Sequence, residues 1–151
     1  MKPKELAEAV ITRLHTADPD ELCAALNIRI LPSSLVDLRG FLVRMKRSNL
    51  IFIADDLDDF SRRFVLFHEI GHFLMHREVN RIFMDSRTFF KTSPYEREAD
   101  QFAVCCLYPD DADLYAYIDR DIQTVSRCLG LPAELARYRM ELIDYPFNLL
   151  L

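Results

Sequence analysis

His68, Glu69 and His72 stand in the order His-Glu-x-x-His, a spacing that on a helix can grip one cation and set a base beside it. Residues four apart lie roughly 6 Å along a helix axis and only ~40° apart around it, so both imidazoles can reach the same ion. Glu69 follows the first histidine and projects beside the ion rather than at it, within reach of a water that it can deprotonate. The chemistry that needs this arrangement is metal-assisted hydrolysis of a carbonyl compound. A five-residue pattern also arises on helices by chance. The rest of the chain must supply the remaining ligand and the surroundings that separate the two cases.

The helix carrying the motif is expected to run from about Leu57 or Phe60 to His76, preceded by acidic Asp55, Asp56, Asp58 and Asp59 where the helix dipole favours negative charge. Phe64, Val65, Phe67, Ile70, Phe73 and Leu74 make it apolar nearly all round, the signature of a central buried helix. Buried histidine and glutamate are costly without partners, and a metal would satisfy both imidazoles.

Upstream, residues Lys4 to Thr16 read as a helix, and a second starts at the cap Asp18 with Pro19 at its first position and Asn27 closing it. Ile28 to Leu31 reads as a short strand ending before Pro32, and Gly40 to Lys46 with Leu50 to Ala54 as a hairpin around Arg47, Ser48 and Asn49. Downstream, Arg77 to Thr92 is a candidate loop, or a short edge strand at Arg81 to Met84, rimming the site. Ser93, Pro94 and Glu96 open a helix that continues to Pro109; further helices are expected at Asp111 to Asp119, Asp121 to Leu129 and Pro132 to about Ile143. The fold class is α+β: a mostly helical single domain, residues 1–151, with a small sheet packed on the central helix. Within it, residues 1–27 form N-terminal helices and residues 28–143 a catalytic core with a C-terminal helical pair.

A catalytic zinc takes three protein ligands and keeps one open position. Glu96, on the second long helix, is the best third ligand, although it also occupies the capping-box position behind Ser93. Glu98 is the alternative, pointing roughly 200° away and more suited to solvent. Asp100, one turn beyond Glu96, can accept a hydrogen bond from the far nitrogen of a metal-binding imidazole. His76 lies too far along a straight helix to reach the same ion and reads as a helix C-terminal histidine or a substrate-side donor; His15 reads as a structural residue in mid-helix. His76, Tyr95 and Tyr108 are the candidates for stabilising a transition-state oxyanion. One Zn2+ per chain is expected, with Mn2+ or another divalent ion as the alternative at such nitrogen and oxygen donors.

Composition narrows the class. At 151 residues, half of them hydrophobic, the chain can bury a core without staples. Neither an apolar run of membrane-spanning length nor a signal-peptide block is present, which points to a cytoplasmic protein without membrane contact. Cys23, Cys105, Cys106 and Cys128 have no CxxC spacing and are expected as small buried residues. The net charge of -5 argues against a nucleic-acid face and suits a basic protein partner. Ile122 to Ile143 can be read as a DNA-binding helix-turn-helix, but Arg127, Arg137 and Arg139 are balanced there by Asp121, Glu134, Glu141 and Asp144, so helical packing explains it better.

The stretch His68-Glu69-Ile70-Gly71-His72-Phe73-Leu74-Met75-His76, followed by Glu96-Arg97-Glu98-Ala99-Asp100-Gln101-Phe102-Ala103 and Leu107-Tyr108-Pro109, resembles the ImmA/IrrE family of metallopeptidases. The resemblance extends to Leu38-Arg39-Gly40-Phe41 with Ile51-Phe52-Ile53-Ala54, and to the segment from Leu129 to Met140. It implies a gluzincin-like α+β fold, zinc held by His68, His72 and Glu96, and cleavage of a helix-turn-helix repressor that releases mobile-element or stress genes. Asp100 stands where many relatives carry Asn, a change that keeps the acceptor. The reading that follows is a cytoplasmic zinc-dependent endopeptidase with Glu69 as general base. A non-catalytic regulator that binds the repressor and uses zinc only to hold its fold is the alternative.

Overall fold

A ten-residue run from Phe64 to Phe73 is buried without interruption, and the first of two compact units, Met1–Leu107, is assembled around it. The computed structural model describes residues 1–78, 84–86 and 93–145. The buried run belongs to a long helix, Asp59–Met75. Asp58 caps it by accepting a 2.7 Å hydrogen bond from the Ser61 N–H, which places the start between the two expected positions.

The N-terminal helices are α1 (Pro3–Leu14) and α2 (Pro19–Ala25), so the long helix is α3. Asp18 caps α2 through the Glu21 N–H, and Asn27 takes the left-handed conformation that turns the chain into the sheet. His15 is not in mid-helix: it is the exposed C-cap of α1, also left-handed, because that helix stops at Leu14. α1 packs on the later helix α4 (Pro94–Leu107), and α2 on α3, where Arg62 grips Asp20 through two hydrogen bonds of 2.7 and 2.8 Å.

The sheet comprises β1 (Ile28–Ser33), β2 (Leu38–Arg44), β3 (Asn49–Ala54) and β4 (Met84–Ser86), in the order β1-β3-β2-β4. β2 and β3 form the expected antiparallel hairpin, closed at its corner by Met45 N–H to Ser48 carbonyl, and β1 joins β3 in parallel. β1 runs through Pro32 instead of ending before it. The Ser33 carbonyl accepts from Asp55 N–H on the β3 side, so by strand alternation the nitrogen of Pro32 faces away from β3, where an edge strand needs no donor. Of the candidate edge strand at Arg81 to Met84, only Met84 lies in described structure, where it begins β4; residues 81–83 lie outside the described residues.

Period-two alternation puts Gly40, Leu42, Ile51 and Ile53 on the buried face of the sheet, which packs on α3. Gly40 is where the approach is closest: a Cβ there would stand 2.9 Å from Val65 Cγ1 and 3.0 Å from the Phe52 carbonyl oxygen. α4 packs along α3 through Ala99, Phe102, Ala103 and their neighbours. The α+β class and the central helix are as the sequence implies.

The second unit begins at Tyr108. Asp111–Tyr117 forms a 3-10 helix rather than the α-helix expected to Asp119; the tighter winding aligns Asp111, Leu114 and Tyr117, with Leu114 fully buried. α5 (Ile122–Leu129) is capped by Asp121 and stopped by left-handed Gly130, and α6 (Ala133–Glu141) follows Pro132 and stops short of Ile143. Arg139 on α6 is 1% exposed and donates to the Tyr108 carbonyl at 2.8 Å and to Asp111 Oδ1 at 2.5 Å. Its charge is spent inside this unit. That removes one of the three basic residues a helix-turn-helix reading would use. Cys23, Cys105 and Cys106 are buried as expected, but Cys128, on α5, is exposed.

Two substitutions probe these contacts. Gly40→Ala should lower the stability to urea unfolding by about 1–3 kcal/mol, since neither Val65 nor a backbone carbonyl can move aside freely. Asp111→Ala strands the buried Arg139 guanidinium and removes the acceptor for Asp144 N–H; the expected loss, read from the same unfolding curves, is about 2–4 kcal/mol.

Candidate metal centre

The α3 periodicity brings His68 and His72 to one face, and α4 lays Glu96 across them. Gly71, between the two histidines' turns, lets the helices close in: a Cβ there would stand 3.1 Å from Phe102 Cδ1 and 3.4 Å from Ala99 Cα on α4. The result is a triangle of ligand atoms. His68 Nε2 lies 2.9 Å from Glu96 Oε2, His72 Nε2 lies 3.2 Å from Glu96 Oε1, and the two Nε2 atoms are 3.1 Å apart. Donor atoms around a tetrahedral zinc at ~2.0–2.1 Å are separated by ~3.3 Å, close to all three distances.

Protonation makes the case for a cation sharper. His68 Nδ1 lies 2.7 Å from Asp100 Oδ1, and since a carboxylate only accepts, Nδ1 carries a proton; a cation taking the place of a proton between Nε2 and Glu96 would meet the Nε2 lone pair. Burial pushes the His72 pKa down to about 4, with the neighbouring His68 adding to the effect, although Glu96 pulls the other way; His72 is therefore neutral at physiological pH. Burial alone would raise the Glu96 pKa, but the contacts with His68 and His72 outweigh it and hold the carboxyl well below the usual carboxylate range. With a cation at its centre, the triangle would turn an Nε2 lone pair from each imidazole and a carboxylate oxygen toward one point away from water. A divalent cation at that point satisfies all three.

Glu96 faces the histidines rather than the helix start, and Ser93 Oγ accepts from the Tyr95 N–H at 3.2 Å. Glu69 follows His68 on α3 and is fully buried. His76 lies beyond the triangle as the C-cap of α3, buried, with its Nδ1 2.8 Å from His72 Nδ1. Burial lowers the His76 pKa, against the pull of Glu98. Tyr95 meets His76 edge to face, its ring centroid 5.1 Å away. Tyr108 belongs to the second unit, where its hydroxyl donates to the Leu129 carbonyl at 2.6 Å.

Three features lay outside the sequence expectations. Arg44, at the end of β2, donates to the carbonyls of both His72 and Phe73, at 2.9 and 3.0 Å. It thereby holds the last turn of α3, where a cation also complements the helix dipole, and with Arg77 it covers the Phe73 ring. Glu98 is not simply a solvated charge: Oε2 approaches His76 Nε2 at 3.7 Å. The contact between His72 and His76 repeats the same four-residue spacing as the motif, so its signal was present in the sequence. Arg44 left none, because nothing local marks which strand arginine reaches a distant helix end.

Asp100→Ala should weaken zinc binding about 10–100-fold in competition with a chromogenic chelator, while Asp100→Asn, which keeps a carbonyl acceptor, should lose less. Gly71→Val should impair metal binding without touching a ligand, because the added methyls separate α3 from α4; the same titration reads it.

Comparison with known proteins agrees with this arrangement. A family model described as the IrrE N-terminal-like domain (Peptidase_M78) matches residues 23–141, a span that includes both histidines of the motif, Glu69 and Glu96. The chain is also 35% identical over 138 residues to "Uncharacterized immunity region protein 2" of Bacillus phage phi105, covering 90% of this chain and 87% of that protein. With the match extending over most of its length, the chain belongs to the peptidase family of the IrrE N-terminal-like domain.

Proposed function

We propose that this chain is a zinc-dependent endopeptidase acting on a helix-turn-helix repressor. The observation that carries the reading is the triangle of His68, His72 and Glu96, with the buried Glu69 one residue after the first histidine. Zinc held there would polarise a peptide carbonyl and make water a stronger acid. Glu69 would take the proton from the attacking water and deliver it to the departing amine. His68 and His72 would act as neutral donors, and Asp100 would keep His68 in the tautomer that leaves Nε2 open.

Membership of a peptidase family supports hydrolysis of peptide bonds. The repressor substrate rests on the ImmA/IrrE resemblance, and a relative named for a phage immunity region fits it. The net charge of -5 suits a basic, DNA-binding substrate. A cytoplasmic site of action goes with such a target; among the described residues no helix is long and apolar enough to cross a membrane.

The alternative, a zinc-stabilised regulator without catalysis, calls for a closed site of four protein ligands. Among the described residues the cluster consists of three. That favours an open coordination position and hence catalysis.

Elemental analysis of the purified protein should find one zinc per chain, lost from His72→Ala and from Glu96→Ala. Glu69→Gln should keep the zinc and lose cleavage of a helix-turn-helix repressor substrate by at least about 100-fold, the scale expected of a general base. Full cleavage by that variant would overturn the role of Glu69.

A further inference from the structure

His76 takes no part in the triangle, yet its ring is buried against one of the ligands. We propose that His76 is a positioning residue for the metal centre, accepting the Nδ1 proton of His72 and so fixing the tautomer in which His72 Nε2 is a ligand. The inference rests on the metal-centre reading and goes beyond it, since it assigns the support of the second histidine.

A cation in the triangle would fix the proton arrangement. His72 Nε2 faces Glu96 and His68 Nε2, so it is the nitrogen that must present a lone pair. The ring's remaining proton then sits on Nδ1, which is 2.8 Å from His76 Nδ1. Two nitrogens at that distance share a single proton: one donates and the other accepts. His76 Nδ1 is therefore the acceptor, and a neutral His76 carries its own proton on Nε2. That atom points toward Glu98 Oε2, 3.7 Å away, within ion-pair range though longer than a direct hydrogen bond. The order of groups from the metal outward is His72, His76 and Glu98, each turning a donor toward the next.

The ring of His76 is held in this orientation from several sides. Tyr95 packs edge to face on it from α4. The backbone N–H of His76 donates to the His72 carbonyl at 3.0 Å, and Arg44 anchors that same carbonyl from β2. The two ligand histidines consequently differ in their support: His68 is backed by a carboxylate, His72 by a neutral imidazole. An imidazole acceptor draws the Nδ1 proton less strongly than a carboxylate, so His72 would be the weaker donor of the pair.

The test combines zinc affinity with a direct view of the protons. In chelator competition, His76→Phe should bind zinc about 10–100-fold more weakly than wild type, and His76→Asn, whose side-chain oxygen can accept near the position of Nδ1, should recover most of that loss. Long-range 1H–15N correlation spectra of the zinc-loaded wild type should show His72 protonated at Nδ1 and His76 protonated at Nε2. Zinc bound equally by wild type and His76→Phe overturns the inference alone, as does a His76 proton found on Nδ1. Should His76→Phe fail to fold, the wild-type spectra and His76→Asn decide the matter. A wild type that binds no zinc overturns the metal centre and this inference together.

Discussion

Lone pairs from two imidazoles and a carboxylate are held 2.9–3.2 Å apart in a region largely closed to water, and everything around them serves to keep them there. Desolvation is what gives this arrangement its chemical character. It holds the His72 ring neutral, and a neutral ring is a ligand where a protonated one is not. A cation held there would act at short range through little screening, the condition for polarising a carbonyl. The cost of burying such groups falls on the packing that must keep them facing one another.

That packing is concentrated on α3. The helix is fixed at its start by Asp58, along one side by the sheet, along another by α4, and at its end by Arg44. Two glycines set the separations. Gly40 admits β2 to within contact of Val65, and Gly71 admits α4 so that Glu96 arrives at ligand distance rather than a side-chain length away. Because protein interiors are close-packed, a methyl group at Gly40 would press on Val65 and the β3 backbone, and one at Gly71 on Phe102 of α4.

Polar groups elsewhere show the same economy of charge. Arg62 is matched to Asp20 where α2 meets α3, and Arg139 is buried with Asp111 and a backbone carbonyl in the second unit. Around the candidate metal centre the partners are graded. A carboxylate stands behind His68 and a histidine behind His72, with Glu98 beyond it at longer range.

Much of this was legible in the sequence wherever the relevant atoms are a few residues apart. Asp18, Asp58 and Asp121 cap helices as their positions imply, Gly130 stops α5, and helix periodicity alone puts His68 and His72 on one face. The same local geometry contained the pairing of His72 with His76, though sequence alone gave no reason to prefer it over a substrate-side role. Relations between elements were a different matter. That Glu96 faces the histidines while Glu98 turns to His76, that Arg44 reaches two carbonyls of α3, that Pro32 sits within an edge strand and that Arg139 is buried all depend on which surfaces pack together. The His-Glu-x-x-His motif, its helix and the α+β class were readable from the chain alone, because backbone periodicity fixes positions over one or two turns. The approach of Glu96 to the two histidines, and the hydrogen-bond partners of each ring, came only with the packed fold, because those distances are set by the close packing of helices and strands far apart in the chain.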